Sequence, residues 1–536
     1  MKQIFSQLVV RPLFSGVFLL IPCALADNSR PAADLQRIKD AAAVVAGPIA
    51  AGPVAATAQA IQAVPCPDWF RDAKFGIWSH WGPGCISGVD QNYAREMYHT
   101  PSPAYRYHVK HFGDPNVVGY KDILQYWTAA KWDPEGLMKV YKEAGAKYFV
   151  SMGRHHDNID LYDSQYTYWN SVNLGPKKDV AGLWRQAAIK EGLRFGLSFH
   201  PHSGYFREGM REKTQSGWKD NGPFDTSDPQ YWSLYLPPVG TPGRDEEFSN
   251  GVYARIKDAI DKYQPDLLYF DGGLPGALGP KLMAHYFNSN MARHSGINEG
   301  LFTVKSDQSS VRDLERAEMK ELTAQVWQCD TSESSWFYMD EPAAADELYT
   351  FHRSPMTMLH LLIDIVSKNG NLLMNIPQRA DGTIDEHCEI LLTEFADWMK
   401  INGEAIFGTR PWGIYGEGPS ELPRSNLNDL KSPMTSRDIR FSTKGNVLYA
   451  FVLGWPRDHK VTIRSLAKPA GTIAAINLLG CSEKLDWKQT DNALEINLPS
   501  KKPCDHAITF KITGTNSGKL TPAPGSSIGV PSPGSR

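Results

Sequence analysis

Three short apolar runs, "AKYFVSM" (146–152), "RFGLSF" (194–199) and "DLLYF" (266–270), are separated by "VAGLWRQAAIKEGL" and "GVYARIKDAIDKY", whose apolar positions recur with helical spacing. Strands that alternate with helices must pair in parallel, and both faces of such a sheet are then covered. Several hundred residues of this pattern, from 66 to 413, predict an α/β fold with a (β/α)8-like barrel. After "GTRPWGIYGEG" the texture changes to five short β-type runs: "NVLYAFVLGW", "KVTIRSL", "GTIAAINLLG", "ALEINL" and "AITFKIT". These predict a C-terminal antiparallel β-sandwich over 414–514.

The flanking segments read differently. Lys2 and Arg11 precede or open "PLFSGVFLLIPCALA", which ends in a small-residue Ala24-Leu25-Ala26 site, so residues 1–26 read as a signal peptide cleaved after Ala26. Export to the periplasm or the exterior is the expectation. Pro22 directly before Cys23 argues against lipidation there. Residues 27–65 are Ala-rich and read as a linker or loosely docked helix. Residues 515–536, rich in Pro, Gly and Ser, read as a disordered tail. No second apolar run of about 20 residues predicts a membrane span.

Composition removes some partners. Lys and Arg number 56 against 59 Asp and Glu, so no basic field for nucleic acid is expected. Without Cys23 six cysteines remain, and Cys481 with Cys504 is the pairing expected from their shared β-rich segment. Their spacing matches no zinc pattern.

The chemistry gathers at strand ends. "DLLYFDGG" stops on Asp271 followed by two glycines; "KFGIWSHWGPG" ends in His80 and Trp81; "RHHDNIDLYDS" places His155 and His156 after "YFVSM"; "FHPHSGY" places His200 and His202 after "RFGLS". In a barrel those ends share one face, so a common pocket is expected. Zinc is the rival reading of so many histidines, but adjacent His155 and His156 would point to opposite faces of a strand. Imidazoles hydrogen-bonding sugar hydroxyls explain the same residues with no metal or cofactor.

The order of "WFRDAKFGIWSHWG", "REMYH", "GAKYFVSMGRHHDNIDLYDSQYTYWNSVNLGPKKDVAGLW", "PDLLYFDGG", "VWQCDTSESSWFY", "LHLLIDIVSKNGNLLMNIPQRADGTI" and "WMKINGEAIFGTRPW" resembles the α-L-fucosidases of glycoside hydrolase family 29 across residues 66–413. The resemblance implies a retaining exo-glycosidase acting on fucosylated oligosaccharides or polysaccharides through a covalent fucosyl-enzyme intermediate. It implies that Asp271 is the nucleophile and that His80, His155 and His156 bind the sugar. The family's Glu-Trp-Tyr motif falls on Glu96-Met97-Tyr98, where Met97 replaces the ring. Among Glu299, Glu315, Glu318, Glu321 and Glu333, "SVRDLERAEMKEL" is most similar to the segment carrying the proton donor, which selects Glu315. Another subgroup's Trp-Glu pair falls on Trp327-Gln328, and Gln cannot donate the proton. The fucose methyl needs an apolar wall, expected from Trp336 and Phe337. A retaining glycosidase of another sugar and a non-catalytic carbohydrate-binding protein are the alternative readings.

Overall fold

The computed structural model describes residues 30–201, 225–237, 240–340, 352–420, 434–515 and 518–524. The expected signal peptide and His202 lie outside these residues. Eight parallel strands close into a barrel in chain order: β1 (Phe75–Ser79), β2 (Tyr148–Arg154), β3 (Arg194–Phe199), β4 (Leu267–Phe270), β5 (Leu301–Val304), β6 (Val311–Glu315), β7 (Trp327–Ser332) and β8 (Gly370–Asn375), with β8 pairing back to β1. The continuous apolar texture of β2, β3 and β4 follows from this closure, because one face of each strand fills the barrel and the other meets helices. Register sets which strand ends meet: Ser198 pairs with Tyr269, Phe270 with Val304, and Glu315 with Asp330.

The intervening helices are stopped by local chemistry. In helix Val180–Glu191 the Asp179 side chain accepts the Gly182 N–H at 3.0 Å, and Gly192 ends the helix at φ +74°. An Asp N-cap and a left-handed glycine C-cap satisfy otherwise orphaned backbone groups at each end.

In the segment expected to be a linker or loosely docked helix, the described residues 30–65 pack against the barrel. Helix Arg30–Ala46 packs against helix Arg244–Tyr263, and Val54, Ile61 and Val64 join the barrel core. The following irregular backbone is held by side chains of one helix: Asn288 accepts from Val54 N at 3.0 Å and donates to the carbonyls of Ala50 and Val54 at 3.1 Å, and His285 accepts from Ala50 N at 3.0 Å. Composition could not foresee this, because the partner of that backbone lies more than 230 residues away.

The C-terminal sandwich includes β11 (Val447–Val452), β12 (Lys460–Ile463), β13 (Ile473–Leu478), β15 (Leu494–Asn497) and β16 (Ile508–Gly514), in a five-stranded sheet that runs from β13 through β16 and β11 to two further strands and a three-stranded sheet centred on β15, all antiparallel. The five expected runs are β11, β12, β13, β15 and β16; β9 (Gly416–Glu417), β10 (Ile439–Lys444) and β14 (Asp486–Gln489) complete it. Part of the expected disordered tail is ordered. Leu520 and Ala523 are buried in the sandwich core, Trp412 donates its indole N–H to the Leu520 carbonyl at 2.7 Å, and Ala523 N donates to Ser465 O at 3.0 Å. Two small apolar contacts among Pro and Gly suffice once a facing tryptophan supplies the partner.

Barrel and sandwich meet through charge as well as packing. Arg440 on β10 donates to Asp364 of helix Pro355–Ser367, and Lys368 lies 2.5 Å from the other oxygen of that carboxylate, all of them buried. The expected Cys481–Cys504 bridge is not formed, and all six cysteines of the described residues are free thiols. No helix of the described residues is long and apolar enough to cross a membrane.

Candidate active site

At the C-terminal ends of the barrel strands, Trp78, His80, Gln91, Asn92, His155, His156, His200, Tyr269, Asp271, Lys305, Glu315, Asp330, Trp336 and Phe337 line one cavity of about 440 Å³. That volume suits a small ligand such as a single sugar ring. Asp271 leaves β4 with its N–H on Phe199 O at 3.0 Å, and the chain then turns through Gly272 and Gly273 at φ +80° and +138°. Those two conformations favour glycine and explain the "DGG" signature.

Three groups converge on the Asp271 carboxylate. His200 Nε2 and His156 Nε2 lie 3.4 Å and 3.5 Å from Oδ2, and Lys305 donates to Oδ1. The same ammonium lies 2.5 Å from Glu315 Oε2. One nitrogen touching both carboxylates keeps those two oxygens within about 5 Å of each other, the spacing used by retaining glycosidases. Burial alone would raise the Asp271 carboxyl; His200, His156 and the Lys305 ammonium outweigh it and hold the group well below the usual carboxylate range. Burial works against the Lys305 charge too, but Asp330, Asp271 and Glu315 keep the ammonium protonated.

His80, His155 and His200 are neutral. Burial pushes His200 down to about 3, and drives His80 and His155 well below their ordinary value. Neither ring nitrogen of His80 has a hydrogen-bond partner among the described residues, so both remain for a ligand. His80, His155 and His200 hold ring nitrogens within 4.8 Å of one another, and so do ring nitrogens of His156 and His200 with a carboxylate oxygen of Asp271. A metal ion or vicinal sugar hydroxyls could use either group. The carboxylate and ammonium beside them suit the polar sugar ring.

A second wall is apolar. Trp336 lies 5.6 Å from Trp78 and 5.4 Å from His80, ring to ring, and Phe337 lies 4.8 Å from His155. The loop is fixed from behind: Asn375 at the end of β8 donates to Trp336 O at 2.9 Å and accepts the His80 N–H at 2.8 Å. The Arg316 guanidinium stacks 4.9 Å from the Trp336 ring and donates to Ser334 O. One amide thus joins a polar wall to an apolar one.

Of the expected site residues, the cavity brings together Asp271, Glu315, His80, His155, His156, His200, Trp336 and Phe337. It does not include Trp81, Glu96 or Tyr98. Trp81 is buried between Trp127 and Trp132, with its N–H on Arg379 O at 2.9 Å. Tyr98 is buried with its hydroxyl on Asp225 at 3.0 Å, and Glu96 is held by Arg95 and His99. Among the five candidate proton donors only Glu315 lines the cavity. Glu299 pairs with Arg194 at 2.7 Å, Glu318 faces Lys368, Glu333 binds His352 at 2.6 Å beneath the surface, and Glu321 is exposed. Sequence reading missed Lys305 and Asp330. Each sits where a polar residue follows or interrupts an apolar strand, the same signal that had singled out Asp271.

A family model described as "Alpha-L-fucosidase" matches residues 42–404, and one described as "Alpha-L-fucosidase C-terminal domain" matches residues 431–513. The plasma alpha-L-fucosidase of Homo sapiens is 26% identical over 479 residues, covering 85% of this chain and 92% of that protein. The tissue alpha-L-fucosidase of Bos taurus is 25% identical over 481 residues, covering 84% and 89%. Among solved structures, the Thermotoga maritima alpha-fucosidase in complex with fucose is similar at a TM-score of 0.64 with 26% identity, covering 83% of this chain and 97% of that one.

Proposed function

Because the chain belongs to the α-L-fucosidase family, a family of glycoside hydrolases, we propose that it cleaves α-L-fucosyl groups from the non-reducing ends of glycans by a retaining mechanism on Asp271 and Glu315. The observation that carries this reading is the single ammonium of Lys305 touching both carboxylates across a cavity of sugar-ring size.

The geometry supports a two-step course. Asp271, ionised, attacks the anomeric carbon while Glu315, carrying a proton, gives it to the departing oxygen. The bond to Asp271 Oδ forms as the glycosidic C–O bond breaks, leaving a fucosyl ester and a free alcohol. Forming the ester removes the Asp271 charge. Lys305, no longer shared, then favours the carboxylate form of Glu315, which takes a proton from water as the water attacks the same carbon. Two displacements return the original configuration.

Specificity follows from the two walls. Neutral His80, His155 and His200 present hydrogen-bonding nitrogens to the ring hydroxyls, and Trp336 with Phe337 offers the apolar face that a C5 methyl needs. A methyl group discriminates by only about 1–3 kcal/mol, so the hydrogen-bonded hydroxyls supply most of the selectivity. Hydrolysis of a panel of aryl glycosides, with NMR of the first-formed sugar, tests the reading. Turnover of a non-fucosyl substrate ahead of the α-L-fucoside, or an inverted product, would overturn it.

A further inference from the structure

Beneath the catalytic pair lies a second pair of acids. Asp313 on β6 and Asp330 on β7 are each 1% exposed, and the register places Asp313 opposite Gln328 and Asp330 opposite Glu315, so the two aspartates are diagonal neighbours. Gln328 donates to Asp313 Oδ1 at 2.8 Å, and the Tyr269 hydroxyl, from β4, donates to Asp330 Oδ2 at 3.0 Å. The remaining oxygens, Asp313 Oδ2 and Asp330 Oδ1, receive no donor from the described residues. Two neighbouring buried carboxyls whose free oxygens find no donor are relieved when one proton is held between them.

Counting charge around the pair gives the same answer. Facing it are Asp271 beyond β4, Lys305 beyond β5, Glu315 on β6, Tyr269 on β4, Tyr148 on β2 and Cys329 on β7. Lys305 is the ammonium among four carboxyl groups, and the His80 and His200 imidazoles are neutral. Like charges this close cannot all ionise in a dry interior.

The geometry points to a proton-sharing carboxyl pair, Asp313 with Asp330, that carries one negative charge behind Lys305 and thereby keeps Glu315 able to hold its own proton. The inference rests on the proposed role of Glu315. Lys305 by itself would favour ionised Glu315 and so disarm the acid needed in the first step. An anion on the opposite side of the ammonium offsets that pull. Asp313 does not line the sugar cavity, and Asp330, which does, is held by the Tyr269 hydroxyl, so both act as positioning residues. Burial, joined by the charge of Asp313, drives Asp330 well above the ordinary carboxyl range, and burial raises Asp313 to about 6.

Infrared spectroscopy at pH 7 should show in the wild-type protein, beside the Glu315 carboxyl, a protonated-carboxyl C=O band that disappears in both Asp313→Asn and Asp330→Asn. This readout does not depend on activity. In Asp313→Asn/Asp330→Asn the alkaline limb of kcat/KM on an unactivated fucoside should move down by about one pH unit, because the negative charge behind Glu315 is gone. If the double variant does not fold, Tyr269→Phe provides the pH profile instead: losing the donor to Asp330 should shift the same limb. A wild-type spectrum without the band, or one unchanged in both single variants, would overturn the shared proton. An alkaline limb that stays in place would overturn its coupling to Glu315. Glu315→Gln separates the two levels: if that variant keeps the wild-type alkaline limb, the assignment of Glu315 fails and the infrared result still stands.

Discussion

Asp271 and Glu315 meet at one nitrogen: the Lys305 ammonium contacts Asp271 Oδ1 and lies 2.5 Å from Glu315 Oε2. The three residues follow or end β4, β5 and β6, which are consecutive neighbours in the barrel wall. The cation keeps two acids close that would otherwise repel each other.

Asp271→Ala should lower kcat/KM on every fucoside by more than about 10³-fold, because no other group in the cavity is placed to form the ester. Lys305 and the histidines would still bind sugar. Measured affinity for fucose should therefore survive the loss of turnover, and a variant keeping more than a few per cent of activity would contradict the assignment.

Glu315→Ala should separate substrates by leaving group. An aryl fucoside with a very good leaving group needs little protonation and should lose little in the first step, whereas a natural glycoside should lose about 10²–10⁴-fold. Equal losses on both would indicate that Glu315 shapes the site without donating a proton.

Acid should destabilise the barrel through its buried imidazoles. His200 is 4% exposed on its side chain and held down to about 3, whereas in the unfolded chain it titrates near 6.5. Between those values the unfolded state binds a proton that the folded state refuses, so stability is full above about pH 6.5 and falls as the pH drops toward 3. Each pH unit in that window costs up to about 1.4 kcal/mol for such a group. Urea midpoints at pH 6.5 and 4.5 should differ less in His200→Gln than in the parent.

The barrel–sandwich junction should be sensitive to one carboxylate. Asp364 is fully buried between Lys368 and Arg440, so Asp364→Ala strands two buried cations and should cost about 3–5 kcal/mol. Calorimetry would register this as a lower Tm. A change within about 0.5 kcal/mol would mean that the apolar contacts alone hold the junction.

We also propose export, supported by the Ala24-Leu25-Ala26 stretch that ends the N-terminal apolar run. Mass spectrometry of the exported chain should find a mature protein starting at Asp27; retention of Met1 would reject the reading.

Much of this was legible in the chain. The apolar runs at 146–152, 194–199 and 266–270 lie at β2, β3 and β4, and the residues after them, His155, His156, His200 and Asp271, line the cavity. Strand periodicity records burial, and a polar residue that breaks it at a strand end has few structural uses, so both signals are local and survive in one dimension. Glu315, chosen over four other glutamates by resemblance to a family segment, is the one of the five that lines the cavity.

Other assignments needed the fold. Glu96 and Tyr98 carry a motif yet spend their polar atoms on Arg95, His99 and Asp225, and the Trp81 ring is consumed by Trp127 and Trp132. Lys305 reads as an ordinary lysine after an apolar tetrapeptide; its meaning appears only when β5 is seated between β4 and β6. Leu520 is one apolar residue among Pro and Gly until Trp412 meets it more than 100 residues away. The sequence by itself determined which residues are buried in each element and which strand ends are polar, because those are properties of short segments. Barrel closure alone decided which of those ends share a proton, a cation or a ring, because such partnerships are set by distances in space that the order of residues does not contain.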